Sequence, residues 1–127
     1  MGREKERVIL VGVAPGGGAV QEAEASLEEL ARLVEAAGAI CVSMVLQNRE
    51  QIHAATYVGK GKLAEIRELL WETQATGIVC DDELSPVQIR NLERELETKV
   101  MDRTLVIWDI FALRAFTKEG NLQVELA

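Results

Sequence analysis

Residues 7–13 read RVILVGV, a nearly unbroken apolar run rich in β-branched side chains. A strand with one face in water alternates polar and apolar positions, and this one does not. It must be covered on both faces, as in a parallel sheet flanked by helices. The rest of the chain agrees with that reading. AICVSMVL (39–46), GIVCDD (77–82) and KVMD (99–102) supply three more strand patterns, each separated from the last by a helical one. SLEELARLVEAAG places a capping box at Ser26 and Glu29, an apolar stripe at Leu27, Leu30, Ala31 and Val34, and a left-handed stop at Gly38. LAEIRELLWETQ (63–74) turns Leu63, Ile66 and Leu70 inward, and SPVQIRNLERELE has Ser85 as cap, Pro86 at the first helical position and Gln88 closing a second box. Strands alternating with helices at this spacing imply right-handed crossovers. The expectation is an α/β three-layer domain with a mostly parallel four-stranded sheet, helices on both faces, and the start of a truncated helical segment at its end.

With 127 residues, 48% of them hydrophobic and only two prolines, the chain suits one core and does not read as disordered. No apolar run reaches the ~18 residues of a membrane span, and the start lacks a secretory leader pattern, so a cytoplasmic location is expected. Cys41 and Cys80 stand in strand patterns without histidines at metal-ligand spacing and read as small hydrophobes, and the lone His53 has no co-ligand nearby. No metal site is expected.

The net charge of −7 excludes a protein that coats nucleic acid through bulk charge. Phosphate contact has to be local. Between Arg49 and Arg67 the chain is net positive, with Arg49, Lys60, Lys62 and Arg67 against Glu50 and Glu65, and this island contains ATYVGKGKLAEI, residues 54–65. A Walker loop needs Ser or Thr after its Gly-Lys and four residues between its glycines; here Leu63 follows Lys62, and Lys60 alone separates Gly59 from Gly61. The stretch is not a nucleoside-triphosphatase loop. Two lysines on small residues before a helix start suit a sugar-phosphate backbone, and the alternative is a tight turn whose glycines meet a backbone requirement.

Other clusters carry weaker signals. The glycines Gly16, Gly17 and Gly18 follow the first strand, where α/β ligands usually sit, yet with Gly12 they do not fit the dinucleotide spacing. Asp81 and Asp82, with Glu83, end a strand and stand either as a magnesium or acid-base cluster or as helix-dipole partners. Asp102 beside Arg103 reads as a junction residue. Trp71 and Trp108 fall in helical patterns and read as core or interface. No catalytic constellation can be assembled from sequence.

Together, SLEELARLVEAAGA, ATYVGKGKLAEI, DDELSPVQIRNLE, DRTLVIWDIFALRA and EGNLQVELA resemble the amino-terminal domain of the HflX family of ribosome-associated GTPases, from about residue 7 to residue 127. Met101 before DRT and Leu105 directly after it are mild departures. The resemblance implies an N-terminal α/β domain at 1–116, the start of a helical linker at 117–127, and a GTPase domain outside this chain that holds GTP and magnesium. It implies binding to ribosomal RNA of the large ribosomal subunit and the separation of stalled ribosomes, often under stress, with Gly59, Lys60, Gly61 and Lys62 as the family motif. Three readings remain open: an RNA-contacting module using those residues and Arg49, a nucleotide-binding domain using Gly16–Gly18 and the carboxylates, and a structural domain restraining its own GTPase domain. TLVIWDIFALRAF is apolar almost all round, which leaves a homodimer of this chain open as well.

Overall fold

A computed structural model describes residues 5–15, 20–48 and 52–108. Gly16, Gly17, Gly18, Arg49 and the segment from 109 onward, with its linker and dimer readings, lie outside the described residues. The elements run β1 (Arg7–Ala14), α1 (Val20–Ala36), β2 (Ile40–Asn48), α2 (Lys60–Thr73), β3 (Gly77–Cys80), α3 (Pro86–Leu96) and β4 (Lys99–Asp102), and residues 103–108 are again helical. The four strands pair in parallel in the order β2-β1-β3-β4. Helices cover both faces.

The central strand β1 shows why its sequence is continuously apolar. Val8 and Leu10 point to one side and meet Leu27, Leu30 and Val34 of α1, together with Val79 and Val106. Ile9, Val11 and Val13 point to the other, against Leu63 and Ile66 of α2, Leu92 and Leu96 of α3, and Ile78, Cys80 and Val100. Each such aliphatic side chain contributes roughly 1.5–3 kcal/mol on full burial, so the two faces together drive the sandwich. Gly12 belongs to this packing: a Cβ there would stand 3.3 Å from the Leu27 side chain, so its lack of one lets α1 settle on the sheet.

Three boundaries differ from the sequence expectation. Helix α1 begins at Val20, six residues before Ser26, because the Ala- and Glu-rich stretch 21–25 is itself a good helix former. Ser26 therefore lies inside the helix. Its C-terminal stop is as read: Gly38 has φ +98°, and Ala39 N–H reaches Val34 O at 2.9 Å. Helix α2 begins at Lys60, so Lys60, Gly61 and Lys62 form its first turn instead of preceding it. Strand β3 stops at Cys80, which frees Asp81 and Asp82 into a loop. The second capping box is present in full, with Ser85 Oγ accepting from Gln88 N–H at 3.1 Å and Gln88 Oε1 accepting from Ser85 N–H at 2.9 Å. Trp71 is not core; it lies on the outer side of α2, 76% exposed. Among the described residues no helix is long and apolar enough to cross a membrane.

Candidate functional site

In this strand order the chain winds away from β1 in two directions, to β2 and to β3. The crevice beyond the carboxyl ends of β1 and β3 is where such folds place their ligands. Asp81 and Asp82 follow β3 there, and both carboxylates are engaged within the protein. Asp81 Oδ1 accepts from Arg103 Nη2 at 2.7 Å and from Nε at 3.0 Å. Asp82 Oδ2 accepts from the Tyr57 hydroxyl at 2.6 Å. Among the described residues no group of three His, Cys, Asp or Glu side chains is placed to hold a metal ion. Asp102 is buried and bridges two junctions, accepting from Leu84 N–H at 2.9 Å and from Leu105 N–H at 3.0 Å, the second as a helix cap.

The Gly-Lys stretch is held by an elaborate loop. His53 and Tyr57 form an antiparallel bridge, with Tyr57 N–H donating to His53 O at 2.8 Å. His53 Nδ1 accepts from Ala55 N–H at 3.2 Å, so in this structure the ring serves the turn. Two side chains of α3 fasten the loop: Gln88 Nε2 donates to His53 O and Asn91 Nδ2 to Ala55 O, each at 3.0 Å. From the other side Gln47 of β2 accepts from Gly59 N–H at 2.9 Å. Tyr57 itself is fully buried with φ +68°, and Val58 N–H bonds Thr56 O across it. That is the rarer, strained form of a γ-turn, and a left-handed non-glycine residue costs roughly 1–2 kcal/mol. Burial first, then the bond to Asp82, pushes the Tyr57 phenol far above its ordinary range, so it stays a donor.

At the end of this loop α2 starts bare. Gly59 is its N-cap with φ −80°, no side chain caps the first turn, and no acidic residue stands in it. The N–H groups and the positive end of the helix dipole are thus left for something else. Lys60 is exposed, while Lys62 pairs with Glu65 at 3.0 Å. The glycines do not serve a turn. Gly59 has an ordinary φ, Gly38 is the described glycine with a positive one, and a Cβ at Gly61 would meet nothing within 4 Å. The strained turn falls on Tyr57 instead.

The structure therefore brings Gly59, Lys60, Gly61 and Lys62 together on one helix start, while Asp81 is taken up by Arg103 and Asp82 by the Tyr57 hydroxyl. Sequence reading missed Tyr57, Gln47 and Asn91, and of Gln88 it gave the capping role and not the bond to His53 O. These partners are distant in the chain, and the one available signal was a lone tyrosine amid small residues. A groove of about 590 Å³ lined by Trp71, Gln74, Thr76 and Glu97 sits at the far end of α2, away from this site.

These features define an open, all-parallel, doubly wound α/β domain with a basic helix start beside its switch point. The model of the GTP-binding GTPase N-terminal family matches residues 24–112, and the chain belongs to that family, the N-terminal domain of HflX. It is similar to GTPase HflX of Lacrimispora saccharolytica, 63% identical over 123 residues, which cover 97% of this chain and 29% of that protein. It is similar also to GTPase HflX of Escherichia coli, 48% identical over 101 residues, or 80% of this chain and 24% of that one. The chain thus spans less than a third of the curated relatives it matches. Among solved structures, a variant of SsGBP superposes with a TM-score of 0.66 at 27% identity, over 95% of this chain and 37% of that one. A GTP-binding protein from the archaeon Sulfolobus solfataricus in complex with GDP shares the fold, with a TM-score of 0.60 at 24% identity over 95% of this chain and 35% of the other.

Proposed function

We propose that this chain is the recognition and positioning domain of an HflX-type GTPase in the cytoplasm. It binds the large ribosomal subunit and takes part in separating stalled ribosomes, including under stress. In this reading 1–116 form the domain and 117–127 begin a helical linker. A GTPase domain outside these residues holds GTP and magnesium, and this domain supplies no catalytic group. Gly59, Lys60, Gly61 and Lys62 meet ribosomal RNA phosphate.

The observation that carries the reading is Gly61. Glycine in a helix costs roughly 1 kcal/mol relative to alanine, and here neither φ nor packing requires it. A first turn with glycine at its cap and at its second position, uncapped N–H groups and an exposed lysine is suited to close approach by a phosphate backbone. Its test is co-sedimentation of the chain with purified large ribosomal subunits across a salt series, beside a Lys60→Ala, Lys62→Ala double variant. Pelleting at low salt that the double variant loses supports the reading. Failure of both to pellet removes it in favour of a domain that acts on its own GTPase domain.

One observation favours that second reading. Leu105, Ile107 and Trp108 are 42%, 37% and 65% exposed on one short helical segment, an apolar surface of the kind another domain covers. Polar substitutions at Leu105 and Ile107 would then change GTP turnover of the longer protein and leave ribosome binding as it was.

A further inference from the structure

Val58 alone separates the buried Tyr57 from Gly59, the N-cap of α2. The chain spans at most ~3.6 Å per residue, so the place of the helix start is tied to the place of the tyrosine. Tyr57 has little freedom of its own: its φ is +68°, its ring is covered, and its hydroxyl ends on Asp82 at 2.6 Å. A bulky residue stays in a left-handed conformation only where its surroundings impose it. Here they are the core around the ring and a carboxylate on the loop that follows β3.

We infer that Tyr57, held by Asp82, is a positioning residue that sets the bare first turn of α2 at the height and angle from which Lys60 and Gly61 meet phosphate. The inference deepens the RNA-contacting reading and rests on it. The carboxylate that sequence alone offers as a magnesium or acid-base group thus has a mechanical role. It anchors the basic loop to the switch point of the sheet, while Gln47, Gln88 and Asn91 hold the loop from either side. The tyrosine touches no ligand in this scheme; it acts through the backbone of Val58 and Gly59.

The decisive variant is Tyr57→Phe, which keeps the ring and removes the hydrogen bond, with Asp82→Ala as an independent cut of the same link and Asp82→Asn as a conservative variant that retains an acceptor. Amide hydrogen exchange of the chain alone gives the first readout. The N–H groups of residue 57, Gly59 and Leu63 bond His53 O, Gln47 Oε1 and Gly59 O respectively. In Tyr57→Phe and Asp82→Ala they should exchange about tenfold faster, with α1 unchanged and Asp82→Asn close to wild type. Unchanged exchange at these three amides overturns the inference. Binding to large ribosomal subunits gives the second. Tyr57→Phe should weaken it about tenfold in the wild type and cost nothing further once Lys60 and Lys62 are alanine, since it acts through them. Equal losses in both backgrounds would mark a merely structural tyrosine and overturn the inference. Lysine-dependent binding untouched by Tyr57→Phe overturns the positioning role alone. A wild type that does not bind, or a lysine-less variant that binds equally well, removes the phosphate reading and any part of Tyr57 in it.

Discussion

Arg103 reaches across 22 residues to Asp81 with two nitrogens on a single carboxylate oxygen, and its Nη2 also donates to Ser26 O and Oγ at 3.0 Å. One guanidinium thus joins the end of β3, the middle of α1 and the start of the C-terminal helical segment. The ion pair is largely shielded, with 23% and 11% of the two side chains exposed. Arg103→Ala is expected to lower stability by roughly 1–3 kcal/mol, because it leaves Asp81 charged and half-buried. Arg103→Lys should recover only part of this, since an ammonium has no planar fork to serve Asp81 and Ser26 together. Urea unfolding of the two variants checks the order.

Asp102 is a second such junction, and a more buried one. Removing its carboxylate in Asp102→Ala orphans the Leu84 N–H in the interior and uncaps the helical segment at Leu105. A lost cap costs ~1 kcal/mol and an unsatisfied buried donor about 1–3 kcal/mol, so the variant should lose roughly 2–4 kcal/mol. Asp102→Asn keeps one acceptor and should lose less. Thermal unfolding that ranks the two alike would contradict the bridging role.

The layered fold was legible because its main signals are local. Val8 through Val13 declare burial on both faces by composition alone, and Ser85, Pro86 and Gln88 fix the start of α3 within four residues. The misreading at Ser26 has the same origin: a Ser followed by Glu29 is equally at home inside a helix, and nothing local distinguishes the two. The site was only half legible. Its lysines and glycines stand together in sequence, whereas the anchors Tyr57–Asp82 and Gly59–Gln47 span 25 and 12 positions. Such pairings follow from strand order, which sequence periodicity does not specify.

Gly77 tests the sheet itself. It lies opposite Lys99 in the β3–β4 register, and a Cβ there would come within 2.9 Å of Lys99 O, a backbone atom that cannot yield without opening the pair. Gly77→Ala should therefore destabilise by roughly 1–3 kcal/mol despite alanine's better strand propensity. Faster amide exchange confined to β3 and β4 would locate the damage.

Alkaline pH tests the buried phenol. Tyr57 is the one tyrosine of the chain, so phenolate absorbance reports it alone. Its folded pKa is raised above 10, chiefly by burial and then by Asp82, and the buried Cys80 thiol is raised above 9 in the same sense. For a group raised on folding, the unfolded chain loses the proton first. Stability is thus complete below about pH 8 and falls as pH rises, past about 9 through the thiol and past about 10 through the phenol, by up to ~1.4 kcal/mol per unit for each such group. Tyr57→Phe removes the phenol and should flatten the decline above pH 10, leaving the part due to the thiol. A phenol that titrates near its ordinary value while the chain is still folded would contradict its burial.

Gly61 sets stability against function in a single substitution. A methyl group at this position meets open space, and the residue is already helical, so Gly61→Ala should stabilise the chain by roughly 0.5–1 kcal/mol. If the bare turn exists so that a phosphate backbone can approach, the same methyl group stands in the way. The variant is then expected to melt at a higher temperature and yet to pellet less with large ribosomal subunits. Glu65→Gln, which breaks the Lys62 pair and leaves the helix start bare, should do the reverse, changing stability by well under ~1 kcal/mol while freeing a cation for phosphate. Tighter binding by Gly61→Ala would mean that nothing approaches this turn closely, and the glycine would lose its explanation.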